Sequence, residues 1–103
     1  MCLAGGVLAV SSMSSYAQGT IKIGLIAPMS GTFSPYGQGF YQSMQAYMAN
    51  YGDTVAGKKV QIIVRDNGTN SPDTAKRLAQ ELITRDNVDF LTGFALSSDG
   101  FAV

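Results

Sequence analysis

Residues 20–27 read Thr-Ile-Lys-Ile-Gly-Leu-Ile-Ala, and this stretch decides the fold class. It is rich in β-branched residues and almost continuously apolar, a pattern typical of a strand buried on both faces of a parallel sheet. Pro28 ends the strand because it has no backbone N–H to donate. Residues 28–37 are rich in Pro, Ser and Gly and are predicted to form a loop.

After this strand the chain alternates between helix and strand patterns. A helix is predicted over residues 37–51 because apolar side chains recur along one stripe, and Gly52 is a suitable C-terminal cap. A second helix is predicted to begin after Ser71 as N-cap. Further strands are predicted at residues 60–64 and 88–92. The two apolar stripes are Phe40, Met44, Tyr47, Met48 and Tyr51 in the first helix and Ala75, Leu78, Ala79, Leu82 and Ile83 in the second.

The order β-α-β-α-β predicts an α/β fold, with residues 53–59 as a turn. Right-handed crossovers make it a three-layer, Rossmann-like part of a doubly wound parallel sheet. In such sheets the loops that follow the strands meet at one edge, where ligands bind. Here those loops are residues 28–36, 66–71 and 93–98, so Ser30, Tyr36, Asp66 and Ser97 are predicted to share one rim.

The composition limits the function classes that remain. The 103 residues make at most one domain, with seven Lys+Arg against seven Asp+Glu, no His and one Cys. This neutral balance argues against a nucleic-acid partner, because phosphate binding needs a clustered positive excess. The lack of histidine excludes His-based catalytic triads and most zinc sites. The composition therefore favours a binding module with no cofactor over an enzyme.

The N-terminus has the pattern of a secretory signal. Residues 3–10 are eight apolar or small residues, too few to span a bilayer but suited to the apolar core of a signal peptide. Small residues at Ser15 and Ala17 fit a signal peptidase, which is expected to cut after Ala17. Residues 1–17 are therefore predicted to be a signal peptide and residues 18–103 the exported chain. Since no positive charge precedes the apolar core, the true start is expected to lie upstream.

The strands and the loops that follow them carry a series of short pieces in a definite order. The pieces are Ile-Gly-Leu-Ile-Ala-Pro-Met-Ser-Gly at 23–31, Tyr36-Gly37, Arg-Asp-Asn at 65–67, Ser71-Pro72, Ala75, Val-Asp-Phe-Leu-Thr-Gly at 88–93 and Ser97-Ser98. In this order and spacing, residues 20–103 resemble the start of the periplasmic solute-binding proteins of branched-chain amino acid (leucine/isoleucine/valine-type) ABC transporters.

The resemblance implies part of one lobe of a type I periplasmic binding protein. Such a protein closes on a small solute in the periplasm and presents it to a membrane permease of the transporter. The implied solute is an amino acid, an amide, or an aromatic or aliphatic acid. Tyr36 matches the aromatic residue that lines the family's cleft, Ser97 matches the serine that hydrogen-bonds the ligand's carboxylate, and Ser98 neighbours it. Hydroxyl and backbone N–H donors hold a carboxylate without a buried cation.

The family is far longer than this sequence. Its members add a hinge and a second lobe, with an acidic group there that pairs with the ligand's ammonium. Residues 18–103 contain no counterpart of these parts, so the chain is expected to be a truncated N-terminal lobe that does not function alone. Phenylalanines near the rim, at positions 33, 94 and 101, favour an aromatic or aliphatic side chain on the ligand.

Other interpretations of the same residues stay open. Tyr36 can be a packing residue on the helix, and Ser97 can be an N-cap. The same lobe architecture also serves the ligand-sensing domains of receptors. A Rossmann-like nucleotide-binding enzyme is a further alternative, because residues 37–39 begin like the dinucleotide fingerprint and Asp66 ends a strand where a ribose-binding acid belongs. Gln42 stands where that fingerprint needs its third glycine, which opposes this alternative.

Overall fold

The computed structural model describes residues 19–68 and 70–103. The predicted signal peptide, residues 1–17, lies outside the described residues. The described chain alternates between strands and helices in the predicted order, which confirms the α/β fold. Its elements are β1 (Thr20–Ala27), α1 (Ser34–Tyr51), β2 (Thr54–Val55), β3 (Lys58–Asp66), α2 (Pro72–Thr84), β4 (Phe90–Gly93) and α3 (Ser97–Ala102).

β1 is the middle strand of the three parallel ones, in a sheet ordered β2-β3-β1-β4. It pairs with β3 along its whole length and with β4 near its carboxyl end, so Leu25 lies between Val64 and Thr92. Because β1 has a strand on each side and layers above and below, Leu25, Ile26 and Ala27 are fully buried. This burial on both faces is the reason the stretch is apolar without alternation.

A two-residue strand lies within the turn that was predicted at residues 53–59, and in this respect the prediction was wrong. β2 runs antiparallel to β3, with Thr54 paired to Lys59. The tip of this hairpin is Ala56 and Gly57, which both have positive φ, as tight hairpin turns require. β3 consequently begins at Lys58, ahead of the predicted start.

The core lies between α2 and one face of the sheet. Ile26 and Leu82 are fully buried there, beside Leu78 and Ala79. Burying each large aliphatic side chain contributes about 1.5–3 kcal/mol to folding. The apolar stripe predicted for this helix is confirmed, apart from Ile83, which is 52% exposed.

α1 covers the opposite face of the sheet much less closely. The helix begins at Ser34, earlier than predicted, and Gly37 is its buried residue. The apolar stripe predicted along this helix is largely exposed, with Tyr47 at 63% and Tyr51 at 76%. An apolar cavity of about 420 Å³ separates the helix from the sheet, lined by Ile23, Ser43, Met44, Tyr47, Met48, Gly52, Val55, Val60 and Ile62.

α3 packs against α2, so two helices lie on one face and α1 alone on the other. Phe94, between β4 and α3, packs against the core cluster that α2 forms with the sheet. This arrangement confirms the predicted three layers. Among the described residues, none of the helices combines the length and hydropathy that a bilayer crossing demands.

Candidate ligand-binding site

The carboxyl ends of β1 and β4 lie side by side at one edge of the sheet. The chain leaves β1 toward α1 on one face and leaves β4 toward α3 on the other. Neighbouring strands whose following helices take opposite faces create a crevice between their loops, and open α/β sheets bind ligands there. Tyr36 stands in the first turn of α1, and Ser97 and Ser98 begin α3, so the three predicted site residues belong to the two helices that follow these strands.

Tyr36 lies in the first turn of α1, the helix that follows β1. The residue is 60% exposed, which does not support its alternative interpretation as a packing residue. Its ring centroid lies 6.1 Å from that of Phe33, with the ring planes tilted by 39°. Tilted aromatic pairs at this distance are mutually favourable. Phe33 therefore supports an exposed aromatic surface that ends in a phenolic hydroxyl.

Ser97 and Ser98 are exposed and form the first two positions of α3. The N-cap of this helix is Leu96, with extended backbone angles, so the alternative interpretation of Ser97 as the N-cap is wrong. The hydroxyl of Ser98 lies 3.5 Å from the carboxylate of Asp99, at the limit of a hydrogen bond. Both residues are therefore accessible to solvent at the start of α3.

The phenylalanines predicted near the rim differ in their surroundings. Phe33 pairs with Tyr36, Phe94 packs into the core, and Phe101 is 90% exposed on α3. An additional cavity of about 270 Å³ lies between α1 and the carboxyl ends of β1 and β4. Its size is close to the lower end of small-molecule pockets, about 300 Å³. It is lined by Leu25, Phe40, Ser43, Met44, Thr92 and Gly93.

The carboxylate of Asp66 binds the loop that follows β1. Its Oδ1 accepts hydrogen bonds from the backbone N–H groups of Met29 at 2.7 Å and Ser30 at 3.3 Å, and its Oδ2 accepts one from the Ser30 hydroxyl at 2.6 Å. Partial burial raises the pKa of Asp66, but these hydrogen bonds favour the charged form and outweigh burial, so the pKa lies below its ordinary value. Asp66 is on the rim, as predicted, with its carboxylate engaged by the protein itself.

A buried polar pair lies directly beneath the rim. Asn67 is 1% exposed and Asp99 is completely buried, and Asn67 Nδ2 donates to Asp99 Oδ2 at 2.8 Å. The backbone N–H of Asn67 donates to the Ala27 carbonyl at 3.0 Å, which holds the residue against the end of β1. This pair was not predicted from the sequence, where the available signal was the position of both residues after predicted strands.

The geometry opposes the nucleotide-binding alternative. Gly37 and Gly39 lie inside α1, which begins at Ser34, whereas the fingerprint needs its first glycine in the turn between strand and helix. The carboxylate of Asp66 is occupied by the neighbouring loop, where a ribose-binding acid would face the ligand. Within residues 19–68 and 70–103, no group of three or more His, Cys, Asp or Glu side chains is arranged to hold a metal ion.

Comparison with known proteins agrees with this architecture. A family model described as periplasmic binding protein matches residues 20–103. The Leu/Ile/Val-binding protein homolog 6 of Brucella abortus is 36% identical over 97 residues. A solute-binding protein of an ABC transporter from Rhodopseudomonas palustris, solved with 3,4-dihydroxybenzoic acid, is 42% identical with a TM-score of 0.77. Another from the same species, solved with 4-hydroxybenzoate, is 37% identical with a TM-score of 0.79.

These relatives are much longer than the present chain. The match to the Brucella protein covers 94% of this chain and 25% of that protein. The matches to the two Rhodopseudomonas structures cover 81% and 82% of this chain and 23% of each structure. The chain thus spans about a quarter of the length of the relatives it matches.

Proposed function

This chain belongs to the periplasmic binding protein family, and we propose that it contributes one wall of an extracytoplasmic solute-binding protein. In this proposal residues 18–103 form part of the N-terminal lobe, and residues 1–17 direct export to the periplasm. The wall captures a small carboxylate-bearing solute, and the complete protein presents the solute to the permease of an ABC transporter. The role is binding and transport, with no catalytic step.

The observation that carries the proposal is the crevice between the loops after β1 and β4. In this proposal the exposed Tyr36 stands on one side of the crevice, and the exposed Ser97 and Ser98 stand on the other. We assign Tyr36 to the body of the solute and the two hydroxyls to its carboxylate. Hydroxyl donors bind a carboxylate by charge-assisted hydrogen bonds, which are stronger than neutral ones.

Two of the similar proteins support an aromatic carboxylate as the solute class. The two Rhodopseudomonas structures hold hydroxybenzoates and are 37% and 42% identical to this chain. The paired rings of Phe33 and Tyr36 offer an aromatic ligand a surface on which to stack. A branched-chain amino acid is the second candidate, because the Brucella relative is a Leu/Ile/Val-binding protein homologue.

A titration of the chain with single solutes tests the proposal. Isotope-labelled protein is mixed with 4-hydroxybenzoate, leucine or urea, and the backbone amide resonances are followed by NMR. We expect 4-hydroxybenzoate to shift the resonances of Tyr36, Ser97 and Ser98, and urea at the same concentration to leave them in place. Shifts confined to the residues that line the larger cavity under α1 would contradict the assigned site.

A chimera tests the same site in a complete cleft. Residues 20–103 replace the matching quarter of the Rhodopseudomonas 4-hydroxybenzoate protein, and binding is measured by calorimetry. We expect the Ser97→Ala variant to bind 4-hydroxybenzoate about tenfold more weakly, because it loses one charge-assisted hydrogen bond. Thr54→Ala, which removes a hydroxyl from the hairpin at the opposite end of the sheet, is the matched control. Equal affinities for the Ser97 variant and the unmodified chimera would refute the assignment.

A further inference from the structure

We propose that Asp66 and Asn67 act together as positioning residues that hold the two sides of the binding crevice at a fixed separation. Asp66 holds the loop that leads to Tyr36, and Asn67 holds the turn that carries Ser97 and Ser98. The inference rests on the proposed function, because it concerns the same crevice. Neither of the two adjacent residues contacts the solute itself.

Asp66 influences the position of Tyr36 through the loop that follows β1. Its carboxylate accepts hydrogen bonds from the N–H of Met29, the N–H of Ser30 and the hydroxyl of Ser30, all of which belong to this loop. The same loop touches the start of α1, because Gly37 lies so close to the Pro28 carbonyl that a Cβ at this position would collide with it. Tyr36 precedes Gly37 in the same helical turn, so the position of its ring depends on the loop that Asp66 fixes.

Asn67 holds the start of α3 through a buried hydrogen bond. Asn67 Nδ2 donates to Asp99 Oδ2 at 2.8 Å, and both residues are buried. Asp99 lies in the first turn of α3, immediately after Ser97 and Ser98. The backbone of Asn67 is bonded in turn to the Ala27 carbonyl at the end of β1. The start of α3 is therefore tied to the end of the central strand through one side chain.

Asp66 and Asn67 are poorly suited to bind the solute directly, and for this reason we assign them a positioning role. The carboxylate of Asp66 already accepts hydrogen bonds from Met29 and Ser30, and its charge would repel the negative charge of an acid solute. Asn67 and Asp99 have almost no surface that a solute can reach. A cleft whose walls are held in place before binding loses less conformational entropy when the solute enters, and this raises its affinity.

NMR of the full chain without solute tests the positioning directly. In Asp66→Asn, where one oxygen becomes a donor, we expect the amide resonances of Met29, Ser30 and Tyr36 to shift while those of Ser97 and Ser98 stay in place. In Asn67→Ala we expect the amide resonances of Ser97 and Ser98 to shift, while those of the loop after β1 stay in place. The double variant Asn67→Asp with Asp99→Asn reverses the donor and the acceptor, and we expect it to return the serine resonances toward their original positions. Shifts that do not follow this division would overturn the proposal.

Affinity for 4-hydroxybenzoate, measured with the full chain and with the same substitutions in the chimera, gives the second readout. We expect Asp66→Asn and Asn67→Ala each to weaken binding about tenfold, as the loss of one hydrogen bond that orders a wall predicts. Leu82→Ala lowers stability from the core and is expected to leave the affinity of the folded protein unchanged. An equal loss of affinity in Leu82→Ala would contradict the proposal, because it would show that Asp66 and Asn67 affect binding only through the stability of the fold. Failure of the unmodified proteins to bind would refute the proposed function, while the solute-free spectra would still decide the positioning.

Discussion

The hydroxyl of Ser30 donates to the carboxylate of Asp66 at 2.6 Å across a separation of 36 residues in sequence. This bond joins the loop after β1 to the end of β3, and two backbone N–H groups of the same loop reinforce it. At the rim of the candidate site, the loop after β1 is thus bonded to a charged group at the end of β3. The ionisation of this group has consequences that can be measured.

We predict that stability falls as Asp66 becomes protonated. The pKa of Asp66 is lowered in the folded chain, because the hydrogen bonds to its charged form outweigh partial burial. A lowered folded pKa means that the stabilisation is present above the unfolded pKa, about 3.9 for aspartate, and is lost as the pH falls below that value. Chemical denaturation at a series of pH values from neutral to below 4 measures this loss. In Asp66→Asn we expect the unfolding free energy to depend less on pH in this acidic range. Asp73→Asn, which removes an exposed acid on α2, is the charge-matched control and is expected to retain the dependence.

The ring of Tyr36 is predicted to contribute to solute binding more than its hydroxyl does. Tyr36→Phe retains the exposed aromatic surface beside Phe33 and is expected to bind 4-hydroxybenzoate nearly as well as the unmodified chimera. Tyr36→Ala removes that surface and is expected to weaken binding by about 1 kcal/mol, the value of an aromatic pair. Tyr51→Ala is the control, because Tyr51 is an exposed tyrosine at the far end of α1. A Phe variant as weak as the Ala variant would show that the hydroxyl dominates instead.

Glycine at position 93 is predicted to be required where β4 ends. Gly93 has φ of 117°, and a Cβ there would collide with the Ile26 carbonyl of the neighbouring strand. Gly93→Ala is therefore expected to destabilise the fold by more than about 1 kcal/mol. Gly39→Ala provides the contrast, because Gly39 lies in α1 with open space around it, and alanine in a helix interior is favoured by about 0.5–1 kcal/mol. Thermal unfolding is measured for both variants, and we expect the melting temperature to fall for Gly93→Ala and to rise for Gly39→Ala.

The two faces of the sheet are predicted to respond differently to truncated side chains. Leu82 is fully buried between α2 and the sheet, and Leu82→Ala is expected to cost about 2–5 kcal/mol of unfolding free energy. Tyr47→Ala on α1 is expected to cost less than about 1 kcal/mol, because 63% of that residue is exposed. Urea denaturation gives both values. Similar losses for the two variants would mean that α1 packs on the sheet more closely than its exposure indicates.

The helices and main strands could be predicted because local patterns specify them. An unbroken apolar run marks a strand with neighbours on both sides, and β1 has the predicted bounds, Thr20–Ala27. The stripe of α2 also lies on the core as predicted. The two-residue strand β2 was missed because so short a segment has no periodicity. Its strand geometry comes from pairing with the start of β3.

The alternation of strands and helices follows from the amino-acid sequence without any knowledge of tertiary contacts, and so does the placing of the loops after the parallel strands at one edge of the sheet. These follow from hydrophobic periodicity and chain chirality, which act locally and leave a visible pattern. The tertiary structure alone decided that Asp66 bonds to the Ser30 loop, that Asn67 pairs with the buried Asp99, and that the stripe of α1 stays exposed. Hydrogen bonds and burial between residues that are distant in sequence depend on which segments the tertiary structure places next to each other. The local spacing of residue types along the chain carries no information about them.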